Sequence, residues 1–199
     1  MSVKESMPAI FLDRDGTLME EVNYCSKPEQ VKVFPGVADA LHQLRERGYL
    51  LIVISNQAGI GRGYFTEEDY RAVESELARQ LLPAILNASY FCRDHPDRPT
   101  DRRKPAPGMV LEAQRDFEID LAGSFFIGDK AIDIECGRNA GLRTILVKTG
   151  YGAAEAERAG ANWVADDFVS AAKIILTESE TEPGEDGLPA RRSGQSARC

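Results

Sequence analysis

The 199-residue chain carries 24 Lys+Arg against 32 Asp+Glu, a formal charge of −8, with 43% hydrophobic and 28% charged residues. That balance suits one globular domain with a sizeable core and lies far from the apolar-poor composition of disorder. The acidic excess argues against a nucleic-acid backbone or an anionic membrane as the main partner, and leaves phosphate binding to a few placed donors or a cation.

The opening residues, Met1 to Ser6, hold no apolar signal run, and no stretch approaches the roughly 18 to 20 apolar residues that span a bilayer. A cytoplasmic protein is expected. From there, short β-branched runs alternate with segments of helical period, the pattern of β-α units around a sheet. The first strand is expected at Pro8 to Asp13 and a helix at Gly36 to Arg47, with Val37, Leu41 and Leu44 on one face. A strand at Tyr49 to Ser55 leads through a glycine-rich loop to a helix that Thr66 caps, with Asp69 as its reciprocal partner, running to about Leu82. Strands then follow at Ala88 to Cys92, Ser124 to Gly128, Arg143 to Val147 and Asn162 to Val164, and helices at Pro107 to Phe117, Ala131 to Ala140, Ala153 to Arg158 and Asp167 to Leu176. The fold class is α/β, a doubly wound and mostly parallel sheet.

Residues 1–176 are read as one domain and 177–199, rich in Glu, Gly, Pro and Ser, as a disordered tail. Cys25, Cys92, Cys136 and Cys199 form no C-x-x-C pair and are expected as free thiols.

The chemistry gathers at strand ends. The first strand closes in Asp13-Arg14-Asp15-Gly16-Thr17, two carboxylates one residue apart where doubly wound folds place their ligands. The same D-x-D-G letters also occur in turns and calcium loops, but the further spaced ligands and closing Glu of a calcium loop are missing. The second strand ends in Ser55-Asn56-Gln57, beside Gly59, Gly61 and Gly63, a set of phosphate-oxygen donors on a backbone free to approach a ligand. Arg103-Lys104-Pro105 brings two cations to a helix entrance, and Gly128-Asp129-Lys130 is followed by Asp133 one helical turn on. Arg62 is read as reaching a distal phosphate.

This order of D-x-D-G-T, strand-end Ser, Lys and G-D-x-x-x-D resembles the haloacid dehalogenase (HAD) superfamily of phosphohydrolases over Ile10 to Val147. The resemblance implies a Mg²⁺-dependent phosphoric monoester hydrolase. Asp13 attacks phosphorus and forms an aspartyl-phosphate, while Asp15 protonates the leaving oxygen and then activates water. Mg²⁺ sits on Asp13, Asp129 and the backbone carbonyl of Asp15, with Asp133 orienting its waters, and Lys104, Ser55 and Asn56 stabilise the phosphoryl oxygens. No insertion is long enough for a large cap domain, so an open site and a monomer are expected.

Within the superfamily, Phe11 to Leu18, Ser55 to Gly63 and Arg103 to Met109 are similar to the D-glycero-D-manno-heptose 1,7-bisphosphate phosphatases and the related histidinol-phosphate phosphatases. That likeness implies a small phosphorylated sugar as substrate, contacts to it from Glu21, Val22, Asn23 and Tyr24, and recognition roles for Arg103 and Lys130. Histidinol phosphate or another small phosphate is the alternative substrate, and a non-catalytic phosphate-binding module is the alternative outside enzymes, though such a module has no need of paired acids. The family's zinc loop, C-x-H followed by C-x-C before R-K-P, is broken here: Cys92 and His95 are present, but Thr100 and Arg102 stand at the later positions. Two ligands do not close a structural zinc site, so zinc is expected to be absent, with ion pairs and prolines holding the loop instead.

Overall fold

The computed structural model describes residues 6–181. Six strands form one sheet in the order β3-β2-β1-β4-β5-β6: β1 Met7–Leu12, β2 Leu50–Asn56, β3 Ala88–Cys92, β4 Ile119–Gly128, β5 Arg143–Val147 and β6 Trp163–Ala165. Every pairing is parallel, so the sheet is wholly parallel where the sequence suggested mostly parallel. The helices are α1 Val37–Glu46, α2 Ala58–Gly61, α3 Glu67–Gln80, α4 Gly108–Phe117, α5 Ala131–Asn139, α6 Gly152–Ala159 and α7 Phe168–Thr181.

The period-2 alternation of the strands separates two cores. Ile10, Leu12, Leu51, Val53, Phe125 and Ile127 pack with α1, α3 and α7, through Leu41, Leu77 and Phe168 among others. Ala9, Phe11, Ile52, Ile54 and Phe126 face the other way, onto Met109, Val110 and Ala113 of α4 and Cys136 of α5. Strands buried on both faces explain why each reads as a continuous apolar run, and each fully buried Leu, Ile or Phe contributes about 1.5–3 kcal/mol. At the N-terminus of α3, the Thr66 hydroxyl accepts from Asp69 N and the Asp69 carboxylate accepts from Thr66 N, closing the expected capping box.

Three boundaries depart from expectation. Strand β4 begins at Ile119 rather than Ser124, because Met7 and Pro8 pair with Ile119 and Asp120 before a register shift. There the Ser124 hydroxyl accepts from Ala9 N at 2.8 Å, and an irregular stretch around Gly123 hides the strand from period-2 reading. The glycine-rich loop after β2 opens with the short helix α2. Helix α7 continues past Leu176 to Thr181, so the first residues of the expected tail are helical, and the Ser179 hydroxyl lies 2.9 Å from Tyr49 Oη. The remainder of that tail, 182–199, lies outside the described residues. Among the described residues no helix is long and apolar enough to cross a membrane.

Candidate active site

Parallel strands put every carboxyl end on one edge, and the chain winds outward in both directions from between β1 and β4. Asp13, Ser55 and Asp129 therefore emerge side by side, with Asp13 N donating to Ile127 O at 2.9 Å to lock β1 onto β4. Asp13 and Ser55 border a cavity of about 250 Å³, lined also by Arg14, Asp15, Glu21 to Cys25, Asn56 to Gly59, Lys104, Lys130, Ile132, Asp133 and Tyr151, while Asp129 is buried beside Asp13 and outside that lining.

Lys104 is the hub. The residue is 3% exposed, and its ammonium donates to Asp13 Oδ1 at 2.5 Å and to Ile54 O at 2.8 Å and stands 2.8 Å from Asp133 Oδ1. Burial alone would lower the pKa of such an ammonium, but Asp13 and Asp133 raise it above the ordinary lysine value, so it stays charged. The Asn56 side chain holds the Lys104 backbone from both sides, donating to its carbonyl and accepting from its N–H, each at 3.1 Å. Asn56, read from sequence as a phosphate donor, thus has its amide committed to placing the lysine.

Gln57 Nε2 donates to Ser55 Oγ at 2.8 Å and to Asp15 Oδ2 at 3.3 Å. Glu21 and Lys130, each expected to meet substrate, also meet one another at 2.9 Å, and the ammonium lies 4.5 Å from the Tyr151 ring centroid. Burial raises the Glu21 carboxyl above its ordinary pKa despite that lysine. Tyr24 packs edge-on against Tyr64 with centroids 4.8 Å apart, tying the loop after β1 to the loop after β2. Val22 and Asn23 line the cavity as expected, but Arg62 and Arg103 are not among its lining residues. Arg62 is exposed at the end of α2, and Arg103 Nη1 turns to the Asp94 carbonyl at 3.3 Å.

A cation fits this edge. Asp13, Asp129 and Asp133 each offer an oxygen within 4.8 Å of the others, and Asp129 Oδ1 is buried with no hydrogen-bond partner. Burial, then the neighbouring Asp13, raise the Asp129 carboxyl well above the carboxylate range, and burial does the same to Asp133. The carboxylates Asp13, Asp15, Glu21, Asp129 and Asp133 outnumber the cations Arg14, Lys104 and Lys130 at this edge, and Arg14 is shared with Glu74, so the negative excess is one that a divalent ion would offset. Hard oxygen donors of this kind suit Mg²⁺.

Sequence reading missed two contributors. Arg14 is fully buried behind Asp15. The loop Lys148-Thr149-Gly150-Tyr151 after β5 closes the far wall: the Thr149 hydroxyl donates to Gly16 O at 2.6 Å and Tyr151 N donates to Asp129 Oδ2 at 2.8 Å. Its signal was a Thr-Gly pair at a strand's carboxyl end, the same cue that marked the other motifs. Gly150, at φ +54°, lies so close that a Cβ would overlap Asp129 Oδ2. Gly150→Ala is expected to cost about 1–3 kcal/mol of stability from backbone strain and to displace Asp129, whereas Gly141→Ala, at φ +80° with open space around it, carries backbone strain alone. Urea melts and Mg²⁺ titrations of the two variants check this; equal Mg²⁺ affinity would contradict the crowding at Asp129.

The segment Cys92 to Arg103 is tied by protein contacts. The Asp94 carboxylate accepts from Thr100 N and Oγ1 at 2.7 Å each, Arg93 pairs with Glu67 of α3 at 2.5 Å, and Arg102 with Glu112 of α4 at 3.0 Å.

Residues 101–171 match a family model described as HAD-hydrolase-like. The D-glycero-beta-D-manno-heptose-1,7-bisphosphate 7-phosphatase of Yersinia pestis is 37% identical over 181 residues, covering 86% of this chain and 96% of that protein. The D-glycero-D-manno-heptose-1,7-bisphosphate 7-phosphatase of Chlorobaculum tepidum is 42% identical over 162 residues, covering 74% and 81%. Among solved structures, the D,D-heptose 1,7-bisphosphate phosphatase of B. bronchiseptica, complexed with magnesium and phosphate, superposes with a TM-score of 0.81 at 29% identity, over 86% of this chain and 99% of that one.

Proposed function

The chain belongs to the heptose-1,7-bisphosphate 7-phosphatase family of HAD-like phosphoric monoester hydrolases, and from that membership we propose that it converts D-glycero-D-manno-heptose 1,7-bisphosphate to the 1-phosphate. The observation that carries the reading is the meeting of Asp13, Asp15, Lys104 and Asp129 at one sheet edge.

In this reading Asp13 attacks the phosphorus of the 7-phosphate in line with the departing sugar oxygen. Asp15 gives that oxygen a proton, then takes one from the water that cleaves the aspartyl-phosphate. Lys104 holds Asp13 in its attacking orientation and, with Ser55, faces the phosphoryl oxygens. Asn56 acts through Lys104, and Gln57 through Asp15 and Ser55. Asp13, Asp129 and the carbonyl of Asp15 would hold Mg²⁺, with Asp133 alongside. When bound, the ion supplies the charge neutralisation that lets a carboxylate approach a phosphate dianion. Glu21, Val22, Asn23, Tyr24 and Lys130 meet the sugar in this assignment; Arg103 would recognise substrate by swinging from the Asp94 carbonyl, and Arg62, exposed outside the cavity lining, would reach in to a distal phosphate.

The cytoplasmic location belongs to the same reading, supported by the free buried thiols Cys25, Cys92 and Cys136. So do a monomeric state, a folded domain that works without residues 182–199, and a Cys92–Arg103 segment that needs no zinc. Phosphate release with Mg²⁺ is expected to favour the heptose 1,7-bisphosphate over hexose bisphosphates and histidinol phosphate by at least about tenfold in kcat/KM, or 1.4 kcal/mol. Equal turnover of all, or a preference for histidinol phosphate, would overturn the substrate assignment.

A further inference from the structure

Arg14 is 0% exposed and heads the fully buried side chains by volume among the described residues. A buried guanidinium is costly unless every part of it is paired, and apolar residues of similar size often fill such a volume as well or better. Its presence beside the catalytic carboxylates therefore calls for a role that charge and geometry, rather than bulk, supply.

The contacts are one-sided toward Asp15. Arg14 Nε donates to Asp15 Oδ2 at 3.0 Å and Nη2 to Asp15 Oδ1 at 3.2 Å, a two-pronged grip that fixes the plane of the carboxylate. The guanidinium is itself braced from α3: Nη1 donates to Glu74 Oε1 at 3.2 Å, and the Tyr70 ring lies 5.3 Å away. Glu74 and Tyr70 both hold Ser89 of β3, at 2.5 and 3.2 Å. Neither Glu74 nor Tyr70 lines the cavity. A chain of contacts from β3 and α3 thus ends on the one carboxylate expected to move protons.

The geometry points to Arg14 as a positioning residue for Asp15, aiming its carboxyl at the leaving oxygen, with Glu74 as the brace that keeps the guanidinium aimed. This rests on the reading of Asp15 as the proton-transfer group. In the first step the bond from Asp13 oxygen to phosphorus forms, the bond from phosphorus to the sugar oxygen breaks, and the proton of the Asp15 carboxyl goes to that oxygen. In the second, water attacks phosphorus, its proton passes to Asp15, and the Asp13–phosphorus bond breaks, restoring both carboxyls and releasing phosphate. A fork gripping both oxygens of Asp15 governs both transfers through the aim of that carboxyl.

The test separates positioning from folding by leaving group. A sugar phosphate leaves as an alkoxide and needs the proton, whereas p-nitrophenyl phosphate leaves as a stable anion and does not. Arg14→Met is expected to lower kcat on the sugar phosphate by about 100-fold with KM within threefold. Its first-turnover burst of p-nitrophenolate should stay within threefold of the parent enzyme. Arg14→Lys, which keeps the charge but loses the fork, should remain at least tenfold impaired on the sugar phosphate. Glu74→Gln should show the same leaving-group dependence at about a tenth of the size, and it carries the test if Arg14→Met does not fold.

Equal loss on both substrates, or no loss on either, overturns the positioning role. Asp15→Asn keeps the two failures apart. If it shows the leaving-group dependence and the Arg14 and Glu74 variants do not, Arg14 is not the positioning residue. If Asp15→Asn itself lacks that dependence, the assignment of Asp15 fails first.

Discussion

Asp13→Asn is expected to abolish turnover while leaving the fold intact. The residue is 5% exposed, and its Oδ1 is held 2.5 Å from the Lys104 ammonium while the backbone is pinned to Ile127. Asn has nearly the same shape and can keep an oxygen toward Lys104, so packing has little reason to change. The chemistry changes completely, because an amide oxygen does not form a stable bond to phosphorus and the acyl-phosphate cannot form. Loss of an attacking group of this kind costs about 10⁴-fold or more in kcat. Stability should be equal or slightly higher, since one negative charge leaves a group in which burial and Asp13 already push the Asp129 carboxyl upward. Phosphate release and a urea melt on the same preparation decide the matter. Residual turnover within 100-fold of the parent would mean that another group attacks phosphorus.

The difference between what the sequence shows and what only the structure shows follows the range of the interactions. Asp13, Ser55 and Asp129 were readable because each stands at the end of an apolar run, and a parallel sheet brings such ends to one edge whatever the loop lengths, while Lys104 was readable from the Arg-Lys-Pro step at a helix entrance. The paired core faces were readable for the same reason, since period 2 assigns Ile10 and Leu12 to one side and Ala9 and Phe11 to the other. The early start of β4 was not, because it depends on a register shift opposite Pro8 and on the Ser124 hydroxyl meeting Ala9 N, contacts between residues 115 apart.

Side-chain commitments were also beyond local reading. Asn56 looks like a phosphate donor until its amide is seen closing on the Lys104 backbone, and Glu21 looks solitary until Lys130 arrives from a loop 109 residues away. Arg14 was hidden by its own type: an arginine between two aspartates reads as solvated charge, and only the approach of Glu74 and Tyr70 from α3 makes its burial possible. What the sequence cannot carry is therefore the pairing of polar groups across distant segments, which in this site decides which donors remain for substrate.

Lys104→Met should produce the largest stability change of any single substitution at the site. The lysine is buried between Asp13 and Asp133, and removing one partner of a buried ionic cluster leaves uncompensated charge that costs about 3–5 kcal/mol. The loss should depend on pH in a defined direction. Burial already holds the Asp133 carboxyl above its ordinary value of 3.8, at about 6, against the opposing pull of Lys104, and without that ammonium it rises further. A carboxyl whose folded pKa exceeds its unfolded one binds more protons folded than unfolded, so stability falls as pH climbs from about 4 through the raised value. The variant should accordingly lie closest to the parent at pH 5 and furthest from it at pH 8. Mg²⁺, binding the folded state alone, should restore part of the deficit at pH 8 by mass action. It should not restore turnover, because Lys104 also orients Asp13 and faces the phosphoryl oxygens. Urea melts of both proteins at pH 5 and 8, each with and without Mg²⁺, test every part of this. A variant as stable as the parent at pH 8 in chelator would show that the carboxylates are not held together by the lysine. Recovery of turnover with Mg²⁺ would confine its role to charge balance.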